Sequence, residues 1–398
     1  MLLDRFIKYV KIDTQSDEES TSTPSTLKQY DLLNVLKEEL DELGVENHLD
    51  EYGRLYAHVK GNPNYSNIGL CSHVDTALEC SGKDVKPQVI KDYDLKYIPL
   101  GKSGLSLSID EFPKLKECRG KTLITTDGTT LLGADDKAGL AIIMDTLEKY
   151  LKLPIEKRRG FSILFTPDEE IGRGPEHFSK DKFDCEFAYT VDGDDPKYVE
   201  CENFNAKAII ISITGKSIHP GSAKGVMINA GLLLSEFISK LSEDMVPSKT
   251  EWKEGFNHLN HFEGDVEHAK AHYILRNHDA KILAKQVEDF VRIKDEILQK
   301  YPGSAVEIQV IDQYRNMAEI IEKYPAVKEH IEKVYKSLNL PLEYKPIRGG
   351  TDGATFSFEG VPCPNLGTGS YNHHGRFEFA VLEEMELLSK ICLEIFKI

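Results

Sequence analysis

The stretch 122–139, TLITTDGTTLLGADDKAG, decides how the rest of the chain reads. An apolar run reaches a Gly-Ala turn, two carboxylates follow (Asp135 and Asp136), and a helix begins. After Lys137, the residues Ala138, Leu140, Ala141, Ile142, Ile143 and Leu147 are spaced to set one helix face against a core. Paired aspartates at a loop-to-helix junction serve as an N-cap, as a metal site, or as both. Taken alone, the cap is the ordinary meaning, because Asp ranks among the best capping residues. The metal reading gains only if further hard-metal ligands stand elsewhere.

Working outward, the same arrangement recurs. An apolar run at 68–71 ends in Ser72-His73-Val74-Asp75-Thr76, and a β-type run at 161–165 ends in Thr166-Pro167 and then Asp168-Glu169-Glu170. A third run, 187–191, ends in Asp192-Gly193-Asp194-Asp195. Helical periodicity covers 2–11 and 27–43, with a Ser/Thr/Asp-rich loop between them. Residues 80–121 mix charge with Gly and Pro and read as an irregular insertion with short strands. Strands alternating with helices predict an α/β domain with a mainly parallel sheet.

From 205 the pattern changes. Strands at 208–213, 271–276 and 305–311 alternate with helices at 228–241 and 282–299, and a turn-rich loop holds His219 and Pro220. That suits a smaller α+β domain of the split-βαβ kind. From 316 the first pattern returns, with helices at 326–338 and 379–396 around a Gly-rich segment at 349–353. The organisation expected is therefore a catalytic domain over 1–204 and 315–398, with a smaller α+β domain inserted at 205–314.

Bulk properties narrow the function. At 398 residues the chain exceeds one typical core, and its hydrophobic (40%) and charged (29%) fractions and mean hydropathy of −0.37 are those of a globular protein. A formal net charge of −17 disfavours a nucleic-acid backbone as partner. No apolar run approaches the ~20 residues of a membrane span, and the N-terminus reads as an amphipathic helix, not a signal peptide. The seven cysteines are scattered and form no CxxC pair, which argues for free thiols in a reducing cytoplasm and against a cysteine zinc site.

In an open α/β sheet, ligands gather at the carboxyl ends of strands, so His73, Asp75, Asp135, Glu169, Glu170 and Asp192 could converge there. His374, in Asn372-His373-His374-Gly375, adds a second imidazole. Each residue has a bland alternative: Asp168-Glu169-Glu170 a helix-start charge cluster, Asp192-Gly193 a turn, the histidines a polar loop. Their joint occurrence at successive strand ends is harder to dismiss. Two histidines with several carboxylates and no thiolate suit Zn²⁺, with Mn²⁺ or Co²⁺ as substitutes. With Asp135 as a bridge, His73 and Asp192 could hold one ion and Glu170 and His374 another. Glu169 is then left over as a general base, and Asp75 can accept the second ring N–H of His73.

The segments SHVDT (72–76), GADDKAG (133–139), TPDEEIGRG (166–174), VDG (191–193), IHPGSAKG (218–225), RGGTDGA (348–354) and NHHG (372–375) resemble the M20 metallopeptidases over essentially the whole length. Within that family the likeness is to the tripeptide aminopeptidases. The resemblance implies a di-zinc catalytic domain, an inserted lid domain that in relatives often mediates homodimer contacts, and release of the N-terminal residue from tripeptides. It implies His73, Asp135, Glu170, Asp192 and His374 as metal ligands, Glu169 as the base and Asp75 as the residue orienting His73. It further implies His219 at the scissile carbonyl and Arg276 on the substrate's C-terminal carboxylate, with Asn205 and the 349–352 loop (Gly350, Asp352) as further substrate contacts. The rivals are another hydrolase of this architecture (dipeptidase, carboxypeptidase or N-acyl amino acid deacylase) and a non-catalytic peptide-binding relative.

Overall fold

The computed structural model describes residues Met1–Ile398, which separate into two compact units. The first comprises Met1–Cys201, Met317–Lys345 and Thr351–Ile398; the second comprises Glu202–Asn316 together with Pro346–Gly350.

The first unit is built on an eight-stranded mixed sheet. Its strand order is Glu46–Leu49, Leu55–Val59, Phe161–Thr166, Ile68–His73, Phe187–Val191, Asn365–Leu366, Tyr198–Glu200 and Glu343–Tyr344. The four central strands, from Phe161–Thr166 to Asn365–Leu366, run parallel, while the Leu55–Val59 and Tyr198–Glu200 strands join them antiparallel. Every residue of Phe161–Thr166, Ile68–His73 and Phe187–Val191 is buried. That explains why these strands read as continuous apolar runs and not as alternating ones: helices cover both faces of a parallel sheet.

The helix Ala134–Tyr150 is the central one of this unit. It packs on Leu2–Val10, on Leu382–Ile395 and on the strand Ile68–His73, and is buried nearly all round. A second sheet of four antiparallel strands runs in the order Ser370–Tyr371, Phe379–Val381, Leu123–Thr125, Gln88–Ile90. The apolar run of the 122–139 stretch thus belongs to this smaller sheet and not to the main one. The region expected to be irregular closes its own core, with Tyr93, Ile98, Leu100, Leu107, Leu115 and Cys118 packed against Leu123, Phe379 and Val381.

The second unit is a four-stranded antiparallel sheet in the order Phe256–Gly264, His268–Asn277, Asn205–Thr214, Ala305–Tyr314, with helices Ala230–Ser239 and Ala280–Lys300 packed on it. In chain order this is βαββαβ, the split-βαβ arrangement. Side chains alternate along His268–Asn277, so Ala271, Tyr273 and Leu275 enter the core with Leu233, Phe237, Phe290 and Ile293. The helices are capped as their sequences suggest: Asn229 accepts from the Leu232 N–H, and Asp279 from those of Lys281 and Ile282.

The strand Phe256–Gly264 escapes the sequence reading because it has almost no apolar face: it is an edge strand, FNHLNHFEG, mostly exposed. The helix Asp352–Phe358 was likewise hidden behind its glycines, and residues 379–381 form a strand before the last helix starts.

Phe290 is fully buried, its ring 5.1 Å from that of Tyr273 and 6.0 Å from that of Phe237. Phe290→Ala is expected to destabilise the second unit by about 3–5 kcal/mol. The sole tryptophan, Trp252, lies in this unit, so denaturant unfolding followed by its fluorescence checks the loss.

Candidate metal centre

His73 ends its strand with its imidazole 2% exposed. Nε2 lies 3.0 Å from Asp135 Oδ1, and Nδ1 lies 3.2 Å from Asp75 Oδ1. Burial works against the imidazolium, but the hydrogen bonds to Asp135 and Asp75 outweigh it and raise the His73 pKa well above its usual value. On the other side of Asp135, His374 Nε2 stands 3.4 Å from Oδ2 and 3.1 Å from Glu170 Oε2. Glu79 Oε1 is 3.3 Å from the other ring nitrogen of His374.

Two groups of donor atoms result, His73/Asp135/Asp192 and Asp135/Glu170/His374, each with its atoms within 4.8 Å of one another. They share Asp135. Glu169 belongs to neither and sits beside them. The strand ends Ile68–His73, Phe161–Thr166 and Phe187–Val191 supply His73, the Glu169–Glu170 pair and Asp192, as expected of adjacent parallel strands. Asp135 and His374 come from segments bounded by the smaller sheet.

The donor set fits divalent cations. Burial pushes Glu170 up to about 7, with Asp135 adding to it, and pushes Asp192 up to about 6 for the same two reasons. Glu169 is raised well above its usual value, chiefly by burial. Two like charges ~4 Å apart cost about 4 kcal/mol at an effective dielectric of ~20, so carboxylates this close want a positive charge among them. Glu170 Oε1 is buried and has no hydrogen-bond partner, an acceptor left over for such a charge. Imidazole and carboxylate donors without thiolate suit zinc, manganese or cobalt.

Other groups hold these side chains in place. Asp75 is fully buried, and beyond its contact with His73 its two oxygens accept the N–H groups of Glu169 (3.0 Å) and Glu170 (3.1 Å). Asp136 accepts from the His73 N–H (3.3 Å), from the Gly139 N–H (3.1 Å) and from Ser72 Oγ. The bond to Gly139 makes it the N-cap of the regular part of the helix, since Asp135 and Asp136 themselves have non-helical dihedrals. Lys137, 1% exposed, donates to the Ile12 carbonyl (2.7 Å), and burial pushes its pKa down to about 8.

Asp168, which in the sequence reads as part of a helix-start charge cluster, has a different task. It has φ +60, and its carboxylate accepts from the Ser25 N–H (2.7 Å) and from Gln29 Nε2 (2.6 Å). It thereby ties the Ser/Thr-rich loop to the residue before Glu169.

Asp352 belongs to the first unit. It is 6% exposed, accepts from Thr166 Oγ1 (2.8 Å) and is pushed up to about 7 by burial. Asp194 and Asp195 pair with Lys345 and Lys114, at 2.5 and 2.6 Å. His373 Nε2 lies 2.9 Å from Ser370 Oγ, and its Nδ1 lies 3.7 Å from Asp135 Oδ2.

The remaining sequence candidates belong to the second unit. His219 is exposed, its Nδ1 accepting the Gly221 N–H (3.1 Å). The Arg276 guanidinium donates to Gln313 Oε1 (2.8 Å) and lies 5.1 Å above the Tyr314 ring. A Cβ on Gly350 would meet that ring at 2.9 Å, so only glycine lets the backbone pass there. The Asn205 side chain is fully engaged: Nδ2 donates to the carbonyls of Asn277 and His278, and Oδ1 accepts the Asn316 N–H.

Residues 126–397 match the family model described as Peptidase family M20/M25/M40. Peptidase T of Staphylococcus carnosus is 46% identical over 396 residues, covering 99% of this chain and 97% of its own. Peptidase T of Clostridium perfringens is also 46% identical, over 398 residues, covering 99% and 98%. Among solved structures, a tripeptidase from Staphylococcus aureus superposes with a TM-score of 0.78 at 24% identity, covering 100% of this chain and 97% of that one, a likeness of fold.

A protein stripped with EDTA should gain thermal stability when Zn²⁺ is returned, by about 2.7 kcal/mol at a hundred times the dissociation constant. In His73→Ala most of that gain should vanish; calorimetric melting of both proteins with and without metal is the check.

Proposed function

The chain belongs to peptidase family M20/M25/M40, and from that premise we propose that it is a metal-dependent aminopeptidase releasing the N-terminal residue of tripeptides. The observation that carries the proposal is the pair of donor groups sharing Asp135, with Glu169 beside them and committed to neither. In this reading His73, Asp135 and Asp192 would hold one zinc ion, and Asp135, Glu170 and His374 a second. When bound, such a pair polarises the scissile carbonyl and brings the acidity of the attacking water close to neutral pH.

The chain's own residues do the rest. Glu169 takes the proton from the attacking water on its carboxylate and passes it to the nitrogen of the leaving amine. Its elevated pKa, caused mainly by burial, brings the two halves of that transfer closer in driving force. Asp75 fixes the backbone of Glu169 and Glu170 while it orients His73, so base and ligand are set by one group.

His219 serves the developing oxyanion. Arg276 grips the substrate's C-terminal carboxylate with its fork, which a lysine could not match bidentately. The Tyr314 ring and Gln313 hold that guanidinium. Gly350 keeps the neighbouring backbone close to that ring; Asn205 contributes through the strand junction it ties, and Asp352 through Thr166, which ends the strand before Glu169.

Supporting this reading, the relatives at 46% identity are named Peptidase T and the solved neighbour a tripeptidase. The seven cysteines form no disulfide, which suits a reducing cytoplasm, and no helix is long and apolar enough to cross a membrane. A homodimer through the second unit belongs to the same proposal, and sedimentation analysis tests it.

Glu169→Ala should lower kcat by about 10²–10⁴-fold, the usual worth of a general base, while zinc content by atomic absorption stays at the wild-type level. Retained turnover would remove Glu169 from its role. Arg276→Ala should raise KM for a tripeptide with little change in kcat, and amidating the substrate's C-terminus should reproduce the effect in the wild type. An N-acetylated tripeptide should resist cleavage; if it is cut as fast as the free one, a deacylase or carboxypeptidase takes the place of the aminopeptidase.

A further inference from the structure

Glu378 stands four residues beyond His374 and just before the strand Phe379–Val381, with only 1% of its surface exposed. Oε2 accepts the backbone N–H groups of Leu132 (2.8 Å) and Gly133 (2.7 Å), and Oε1 accepts that of Asp135 (3.0 Å). Its own N–H donates to the Gly375 carbonyl (3.3 Å), closing the turn that carries His374. One carboxylate therefore joins two segments 243 to 246 residues apart in sequence.

The turn before Asp135 needs such a partner. Gly133 has φ +77, and the chain reverses there so that its amides point to one side, a concavity that favours an anion. Without an acceptor those N–H groups would be buried and unpaired. Both oxygens of Glu378 are spent on them, and Glu378 is in neither donor group, so any influence on a bound cation passes through Asp135 and His374.

We propose that Glu378 is a positioning residue that fixes Asp135, the carboxylate common to both donor groups, relative to the loop of His374. It sets where the shared ligand sits and hence the spacing of the two cation positions. This rests on the metal-centre reading above. Loss of a hydrogen-bonded partner that holds a metal ligand in place typically costs 10–100-fold in affinity or activity.

The test uses the full chain stripped of metal, titrated calorimetrically with zinc chloride, alongside kcat and KM for a tripeptide. Glu378→Gln keeps the volume but turns an amide donor towards backbone donors. It should bind zinc about 10–100-fold more weakly and lose about tenfold or more in kcat, with KM little changed. Glu378→Asp keeps the charge and draws it back by one methylene, so it should fall between the wild type and the Gln variant.

Ser389→Ala is the control for lost stability alone. It removes a buried 2.6 Å bond to Asp145 between the helices Leu382–Ile395 and Ala134–Tyr150, and should keep wild-type affinity and kcat. A Glu378→Gln protein with wild-type zinc affinity and kcat, whatever its melting temperature, overturns the proposal. If that variant does not fold, wild-type zinc affinity in folded Glu378→Asp overturns it equally. A wild-type chain that takes up no zinc overturns the metal-centre reading and this inference together, whereas normal wild-type uptake with unaffected variants sinks the inference alone.

Discussion

Negative charge held close together in a buried space is the constraint on which the first unit depends. Asp135, Glu170 and Asp192 repel one another, and burial makes each less willing to stay ionised. Left to themselves such side chains would turn away to water. They are kept in place by a second set of carboxylates that spend their oxygens on N–H and O–H donors of the loops carrying the first set. Asp75 holds the Glu169 and Glu170 amides, Asp136 those of His73 and Gly139, and Asp168, next to Glu169, is anchored by the Ser25 N–H. Charge-assisted bonds of this kind are worth about 1.5–3 kcal/mol each, comparable to the repulsion they oppose.

The sheets explain how these loops meet. Strands buried on both faces have no freedom to slide, because a shift of one residue would turn buried side chains to the opposite face. Three neighbouring parallel strands therefore deliver His73, Glu170 and Asp192 to one edge. Asp135 and His374 follow strands of the smaller sheet, Leu123–Thr125 and Ser370–Tyr371. The donor set is thus assembled where two sheets of one unit converge, each contributing ligands the other lacks.

Much of this was legible in the chain. Apolar runs closing in histidine or acidic residues marked the strand ends, and the 3.6-residue period located the long helices to within a few residues. What was missed has a common cause. The edge strand Phe256–Gly264 takes its place through backbone pairing, so its side chains carry little pattern. Asp168 and Glu378 look in sequence like ordinary solvated charge, since their partners lie far away along the chain: 139 residues separate Asp168 from Gln29. A carboxylate that binds backbone amides leaves no signature in the residue types of its partners. Roles such as those of His219 and Arg276 came only from likeness to a family, because neither spacing nor composition distinguishes them from a loop histidine and a surface arginine.

The adjacent pair Asp135–Asp136 shows how far environment can divide identical side chains. Burial alone would raise both. Around Asp135, the imidazoles of His373, His374 and His73 outweigh it and hold the carboxylate well below the usual range. Asp136 meets burial first and then the charge of Asp192, so its pKa is pushed well up. Two neighbouring carboxylates whose acidities are driven apart are suited to different work. Asp135 stays anionic and faces the donor groups it shares. Asp136 accepts from Ser72, His73 and Gly139 and so starts the helix at the right place. Exchange of their surroundings, more than any change of residue type, is what would turn the cap into the ligand.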